Sequence, residues 1–293
     1  MTSLALWRDR RGAVSPTRVA TLLVLVWPVL LALAVAATRG LGGRPLNDLI
    51  HRAGFWALVF LLVSLAITPL RQSARWAKLV DVRRMIGVAS FVYALAHVGL
   101  YIADQGFDIL HVAAEIWRRV YLLIGFIAFL GLSLLAATSN DAMVKRIGGL
   151  RWRQLHQITF AISVLALVHF FQQTKADVTV PTLYAGLFAW LAGYRLLART
   201  RENGTLSPLL LVGLSVLAGI LTLLGEAVGI SLSFGVPITT VLATAFDLDL
   251  GVRPGWIVLA AGLAVAVLDI VRGEGARRRP AGRPVRARPA PAE

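Results

Sequence analysis

Residues 83–104 read RRMIGVASFVYALAHVGLYIAD: two arginines, nineteen residues without a formal charge, then an aspartate. At about 1.5 Å of rise per residue the uncharged run makes a helix about 28 Å long, the thickness of a bilayer's hydrocarbon core. A single imidazole, His97, sits inside it. An ionisable side chain at membrane depth is costly and therefore marks a functional position.

Similar runs recur on both sides. Uncharged stretches between flanking charges fall at 19–37, 54–70, 120–140, 154–174 and 178–194, and two weaker ones at 206–225 and 254–268. Hydrophobic residues make up 57% of the 293 and charged residues 15%, with a mean hydropathy of +0.73. A soluble domain carries about 25% charged residues, so an ordinary cytoplasmic globule is excluded. The reading is an all-α polytopic membrane protein: a six-helix bundle over 19–200, a basic N-terminal segment 1–18, about two further spans over 205–270 and a basic tail over 271–293.

Arginine and lysine placement sets the orientation. Alternate segments between the eight runs hold 23 and 7 of the 30 basic residues, so the positive-inside rule puts both ends in the cytoplasm. The net charge of +15 is then topological and implies no nucleic-acid partner. A ninth span over 229–246 would place the arginine-rich tail outside, so that segment is expected to be re-entrant or interfacial. Ala34-Val35-Ala36 after a basic start resembles a signal-peptidase site, but the preceding run is longer than a secretory core and is read as a span. From 272 onward arginine, proline, alanine and glycine dominate, and disorder is expected, with anionic lipid as a possible contact.

Cysteine is absent, which excludes disulfides, iron–sulfur ligation and thioether-linked heme. Of five histidines, His97, His156 and His169 lie in or at the ends of apolar runs. Counted from the inner ends of their spans, His97 lies about 20 Å and His169 about 24 Å along, so both reach the outer leaflet. Two neutral imidazoles at one depth suit the axial pair of a b-type heme, and Phe91, Tyr93, Ala94, Ala96, Gly99, Tyr101, Phe170 and Phe171 would flank it. Spacing alone leaves equally open a pair of histidines that only bridge helices. His156 lies roughly 20 Å below His169 and, on an ideal helix, roughly 140° around from it. It is a candidate for an inner heme, quinone or flavin site, or for an interfacial hydrogen bond. His51 falls in a short outer connection beside Arg52, which can pair a heme propionate. His111 belongs to an amphipathic outer stretch, 107–117, expected to lie on the membrane surface. Arg83, Arg84, Lys145, Arg146, Arg151 and Arg153 gather at the inner mouth, where they can hold a flavin or lipid phosphate or only record topology. No stretch is long enough for a nicotinamide or flavin domain, so electrons would come from a separate donor.

Arg83-Arg84-Met85-Ile86-Gly87, Tyr93 to His97, Tyr101 and Asp104-Gln105-Gly106 resemble the heme-binding membrane subunits of bacterial periplasmic protein-methionine-sulfoxide reductase systems, within the ferric-reductase-like transmembrane superfamily. Leu46 to Pro69 with His51 and Gly54, Thr138-Ser139-Asn140 through Trp152, and Leu155-His156 to His169 and Lys175 carry the same likeness, which covers roughly 15–200. It implies a six-helix inner-membrane core holding heme b and FMN, with the metal-binding histidines at His97, His156 and His169 and cofactor contacts at Arg52, Arg84 and Arg153. It also implies electrons from the quinone pool or a cytoplasmic flavin reductase, delivered to a periplasmic molybdopterin-containing catalytic subunit that repairs oxidised methionine. The turn at Gly148-Gly149-Leu150 is a residue longer than the family pattern, and nothing after about 204 belongs to it. A ferric or quinone reductase of the same superfamily, or a transporter or assembly subunit with helix-bridging histidines, are the rival expectations.

Overall fold

A computed structural model describes residues 7, 12–40, 43–174, 177–247, 249 and 251–277. Its described elements are helical: α1 (Pro16–Arg39), α2 (Pro45–Ser73), α3 (Val80–Asp104), α4 (Ile109–Arg118), α5 (Val120–Ala137), α6 (Asp141–Ile147), α7 (Gly149–Leu155), α8 (Thr159–Gln173), α9 (Thr179–Arg199), α10 (Pro208–Phe234), α11 (Ile238–Ala243) and α12 (Pro254–Arg277), with short 3-10 turns at Ala77–Leu79, His156–Ile158 and Thr244–Phe246. Seven stretches are long and apolar enough to cross a membrane, containing α1, α2, α3, α5, α7 with α8, α10 and α12. The chain is an all-α, multi-pass membrane protein.

Helix ends follow local chemistry. Proline stands at the start of α1, α2 and α10, where its missing N–H would have no helical partner. Asp108 and Asn140 cap α4 and α6 by accepting the N–H groups of His111 and Met143. α10 stops at Gly235, whose φ of 69° is left-handed and closes the helix without a Cβ clash. Interior prolines, Pro28 in α1 and Pro69 in α2, are tolerated as membrane helices often tolerate them.

α2 forms the axis of the bundle. It packs along α3 and touches α8, α9 and α12. α3 and α5, α5 and α8, and α8 and α9 complete the ring, while α1 leans mainly on α3, with Leu25 clustered among residues of α2 and α3 and a hydrogen bond from the Tyr93 hydroxyl to the Leu25 carbonyl. α9, corresponding to the run expected at 178–194, is long enough to cross but less apolar than the seven. It can be, because Trp190, Leu191 and Tyr194 are buried against α10 and α2 instead of facing lipid. α10 and α12 pair closely and dock on α9, with Gly186 against Thr222 and Val258, and Gly262 against Ser215 and Trp190.

Several boundaries differ from the sequence expectation. α2 begins at Pro45, so His51 and Arg52 stand on its second turn instead of in a connection. Residues 229–234 extend α10, and α11 with its following 3-10 turn folds back on α10, so no ninth crossing forms there. α12 continues to Arg277, past the point where a disordered tail was expected, and 278–293 lie outside the described residues, as does Lys175. Gly273 of α12 approaches Arg75 beyond the end of α2, while Arg18 of α1 shares a cavity with Pro69, so α1 starts and α12 ends at the same end of the bundle.

Candidate functional site

The end of the bundle formed by the start of α2, the end of α3, the start of α5 and the end of α8 brings His97 and His169 together. Their ring centres are 6.3 Å apart and their planes 81° apart. Each imidazole is held the same way. His97 Nδ1 donates to the Ile50 carbonyl of α2 at 2.8 Å, and His169 Nδ1 donates to the Tyr121 carbonyl of α5 at 2.7 Å. A carbonyl only accepts, so both rings carry their proton on Nδ1 and leave Nε2 as a lone-pair donor. Neither Nε2 has a hydrogen-bond partner among the described residues.

Those distances allow a test of fit. A metal–imidazole bond of about 2.0 Å, plus about 1.1 Å from nitrogen to ring centre, sets two trans axial imidazoles about 6.2 Å apart centre to centre. The observed separation meets that value. Among the described residues no group of three or more histidine, aspartate or glutamate side chains could hold a bare metal ion. Two opposed imidazoles suit instead an iron whose remaining ligands come from a macrocycle.

Some of the flanking residues expected around the pair have other partners. Tyr93 turns to α1, Phe170 packs with the α9 cluster, Phe91 stacks on Phe129 of α5 at 6.0 Å, and Gly99 has open space around it. The close neighbours are glycines on the opposing helices: a Cβ on Gly54 would stand 2.9 Å from His97 Nδ1, and one on Gly125 2.7 Å from His169 Nδ1. Gly54 carried no assigned reason in the sequence, Gly125 and Tyr121 carried no signal beyond lying in an apolar run, and Ile50 lies before the run that starts at 54. His51 donates to the Asn47 carbonyl at 2.8 Å and, with Arg52, is exposed on α2 at this end. His111 is exposed on α4, where Glu115 pairs with Arg119 at 2.6 Å. Beyond the spans, hydrogen bonds from Thr179 hold the Asp177 carboxyl below its ordinary value at the start of α9.

His156 lies at the other end, in the 3-10 turn between α7 and α8. Trp152 stacks on it with centres 4.0 Å apart, and its Nε2 lies 3.2 Å from the Thr138 hydroxyl, which itself donates to the Leu134 carbonyl. The tighter winding of three residues reduces its angular offset from His169 from roughly 140° to roughly 80°. His156 lines a cavity of about 1520 Å³ together with Arg83, Arg84, Arg153, Arg195 and Tyr194, and neither His97 nor His169 borders it. Drug-sized ligands occupy pockets of about 300–1,000 Å³, so the space suffices for a cofactor. Arg84 is bridged to Asp141 at 2.5 Å, whereas Arg153 has no carboxylate partner among the described residues.

These features define a class, a helical membrane protein that opposes two imidazoles at one end and opens a basic cavity at the other. A family described as ferric reductase like transmembrane component matches residues 53–167, ending two residues short of His169. A protein of Rhodospirillum rubrum is 38% identical over 197 residues, covering 67% of this chain and 92% of the relative. One of Azospira oryzae is 37% identical over 56% of this chain and 71% of its own, and one of Xanthomonas oryzae pv. oryzae 41% identical over 55% and 73%. All three are named protein-methionine-sulfoxide reductase heme-binding subunit MsrQ. No solved structure matches the chain. The chain belongs to the MsrQ family.

Proposed function

We propose that this chain is a membrane b-type cytochrome of a protein-methionine-sulfoxide reductase system, with His97 and His169 as the axial ligands of one heme. The separation of 6.3 Å between the two ring centres carries the reading. Helix bridging accounts for the Nδ1 of each ring but not for two ring centres 6.3 Å apart whose Nε2 atoms have no hydrogen-bond partner among the described residues. Bound there, heme would supply one-electron chemistry. The chain's own part is to fix both rings, keep their tautomers and exclude water with the apolar walls of α3, α5 and α8.

His156 and the basic cavity form the entry side of the electron path, taking electrons from the quinone pool or a cytoplasmic flavin reductase. Arg153 and Arg84 would hold the phosphate of FMN there, and Arg52 on the opposite end a heme propionate. His156 faces the cavity as an inner cofactor ligand, for which the Thr138 contact must open. On this reading the histidine-pair end lies toward the periplasm of a bacterial inner membrane and both chain ends in the cytoplasm, which the placement of the basic residues supports. Electrons leave there for the molybdopterin-containing catalytic subunit that reduces methionine sulfoxide.

Redox-titrated absorption spectra of the purified wild type, His97→Ala, His169→Ala and His156→Ala test this. Loss of the low-spin Soret and α-band signal in the first two variants is expected, with that signal kept in His156→Ala. A wild type without a Soret band after heme-replete expression, or full spectra in His97→Ala and His169→Ala, refutes the assignment.

A further inference from the structure

The two histidines sit in matching cradles. On α2 the accepting carbonyl is Ile50 and the crowded glycine is Gly54; on α5 they are Tyr121 and Gly125, in each case four residues apart. In an α-helix the carbonyl of residue i already accepts the N–H of residue i+4, and its second lone pair lies beside the side chain of that same residue. This chain shows how readily that side chain closes the approach: Thr38, Ser133 and Ser163 each turn their hydroxyl onto the carbonyl four residues back. An external donor can reach carbonyl i only if residue i+4 leaves the lone pair uncovered. At both cradles residue i+4 is glycine, and the imidazole takes the place that a side chain would fill.

We infer that Gly54 and Gly125 are positioning residues for the axial pair: each opens a helix carbonyl to the Nδ1–H of the facing histidine and so sets that ligand's tautomer, orientation and basicity. The inference rests on the heme reading above and assigns the electronic tuning of the pair to two residues that bear no polar atom in their side chains. A histidine that donates Nδ1–H to a carbonyl is a stronger electron donor through Nε2, which favours the oxidised metal and lowers the reduction potential. Three atoms of the His169 ring lie within 3.1 Å of the Gly125 Cβ position, while the corresponding His97 atoms lie at 2.9 to 3.5 Å from that of Gly54. The α5 cradle is the tighter.

The test compares Gly54→Ala and Gly125→Ala with two controls in the full-length, heme-loaded protein. In Gly131→Ala, on the same helix α5, the added methyl meets Ile162 Cγ1 at 2.9 Å and no histidine; in Gly99→Ala, two residues from His97, it meets nothing within 4 Å. Midpoint potential, the low-spin electron paramagnetic resonance signal and heme retained per protein are measured. The cradle variants should move the potential to more positive values and shift the resonance, Gly125→Ala more than Gly54→Ala, or lose heme that the controls keep. Gly125→Ser should act like Gly125→Ala, because its hydroxyl takes the Tyr121 carbonyl. Cradle variants with wild-type potential and resonance, or a Gly131→Ala as perturbed as Gly125→Ala, overturn the inference and leave the ligand assignment standing. A wild type that binds no heme sinks the ligand assignment itself.

Discussion

Replacing Gly262 by alanine tests whether α10 and α12 are an integral part of the bundle. Gly262 is buried on α12 against α9 and α10. An added Cβ would stand 2.5 Å from Trp190 Nε1 and 2.7 Å from Ser215 Cβ, with Ser215 Oγ nearer still. Those atoms are already engaged, since the Trp190 indole donates to Ser215 Oγ at 3.0 Å and Ser215 is fully buried. The methyl group must push the helices apart, at about 1–3 kcal/mol for overpacking, or break the hydrogen bond and strand a buried donor, at a further 1–3 kcal/mol or so. Taking about 2–4 kcal/mol as the middle of the span from overpacking alone to both costs together, the folding equilibrium falls by a factor of roughly 30 to 1,000. Tryptophan fluorescence during unfolding in mixed micelles would read it. Ser215→Ala removes the nearest obstacle, so the double variant should be destabilised by clearly less than the sum of the two singles. Gly262→Ala with wild-type stability, or strict additivity in the double variant, refutes the packing argument. The folded fraction should keep its Soret band, because the added methyl meets Trp190 and Ser215 and neither histidine.

Glu226, buried in α10, meets Arg253 at 3.4 Å, and Arg253 also donates to Thr244 at 3.1 Å. Glu226→Ala leaves that guanidinium half-partnered and should cost about 1–3 kcal/mol, with Glu226→Gln milder, in the same unfolding assay. Arg84 and Asp141 form their bridge with both side chains open to solvent, so Asp141→Ala should change stability by less than about 1 kcal/mol, an effect that salt abolishes. Asn140→Ala removes the α6 cap, at about 1 kcal/mol. Asp177, held below its ordinary carboxyl value by Thr179, contributes stability that is present above the unfolded value and is lost as pH falls through the folded one. Asp177→Asn should therefore flatten the acid limb of the stability profile, below the ordinary carboxyl value, as circular dichroism melts would show.

Membrane class, seven of the eight expected runs and the closeness of His97 to His169 were legible because bilayer thickness translates directly into residue counts. Helix ends were not. Breaking runs at charges truncates helices such as α2, whose Asp48, His51 and Arg52 lie beyond the apolar run on the same continuous helix. The cradles were invisible for another reason: Gly125 and His169 are 44 positions apart, and nothing in either run says that the space a glycine leaves is filled by a particular ring. The 3-10 turn at His156 altered the facing of that residue relative to His169, and the apolar pattern carries no mark of it. α9 is the opposite case, a helix whose modest hydropathy makes sense only after its burial is known.

The helices beyond the family pattern add no histidine near the paired rings, yet they reach the site through α2. That helix holds His97 through the Ile50 carbonyl, accepts the Ser90 hydroxyl at the Ala57 carbonyl, and at its far end binds the Tyr194 hydroxyl and the Gly204 carbonyl through Gln72. Half of its apolar window is buried, the largest share of any crossing helix. A carbonyl can orient an imidazole only as well as its own helix is held, and small displacements of α2 would lengthen the 2.8 Å bond before anything else in the site changed. α12 packs against α2, so the added pair supports the helix that carries the acceptor instead of supplying ligands. The two cradles differ in support, since α5 packs mainly on α8, α4 and α3, while the closer approach of the His169 ring to Gly125 leaves that ring less room to move.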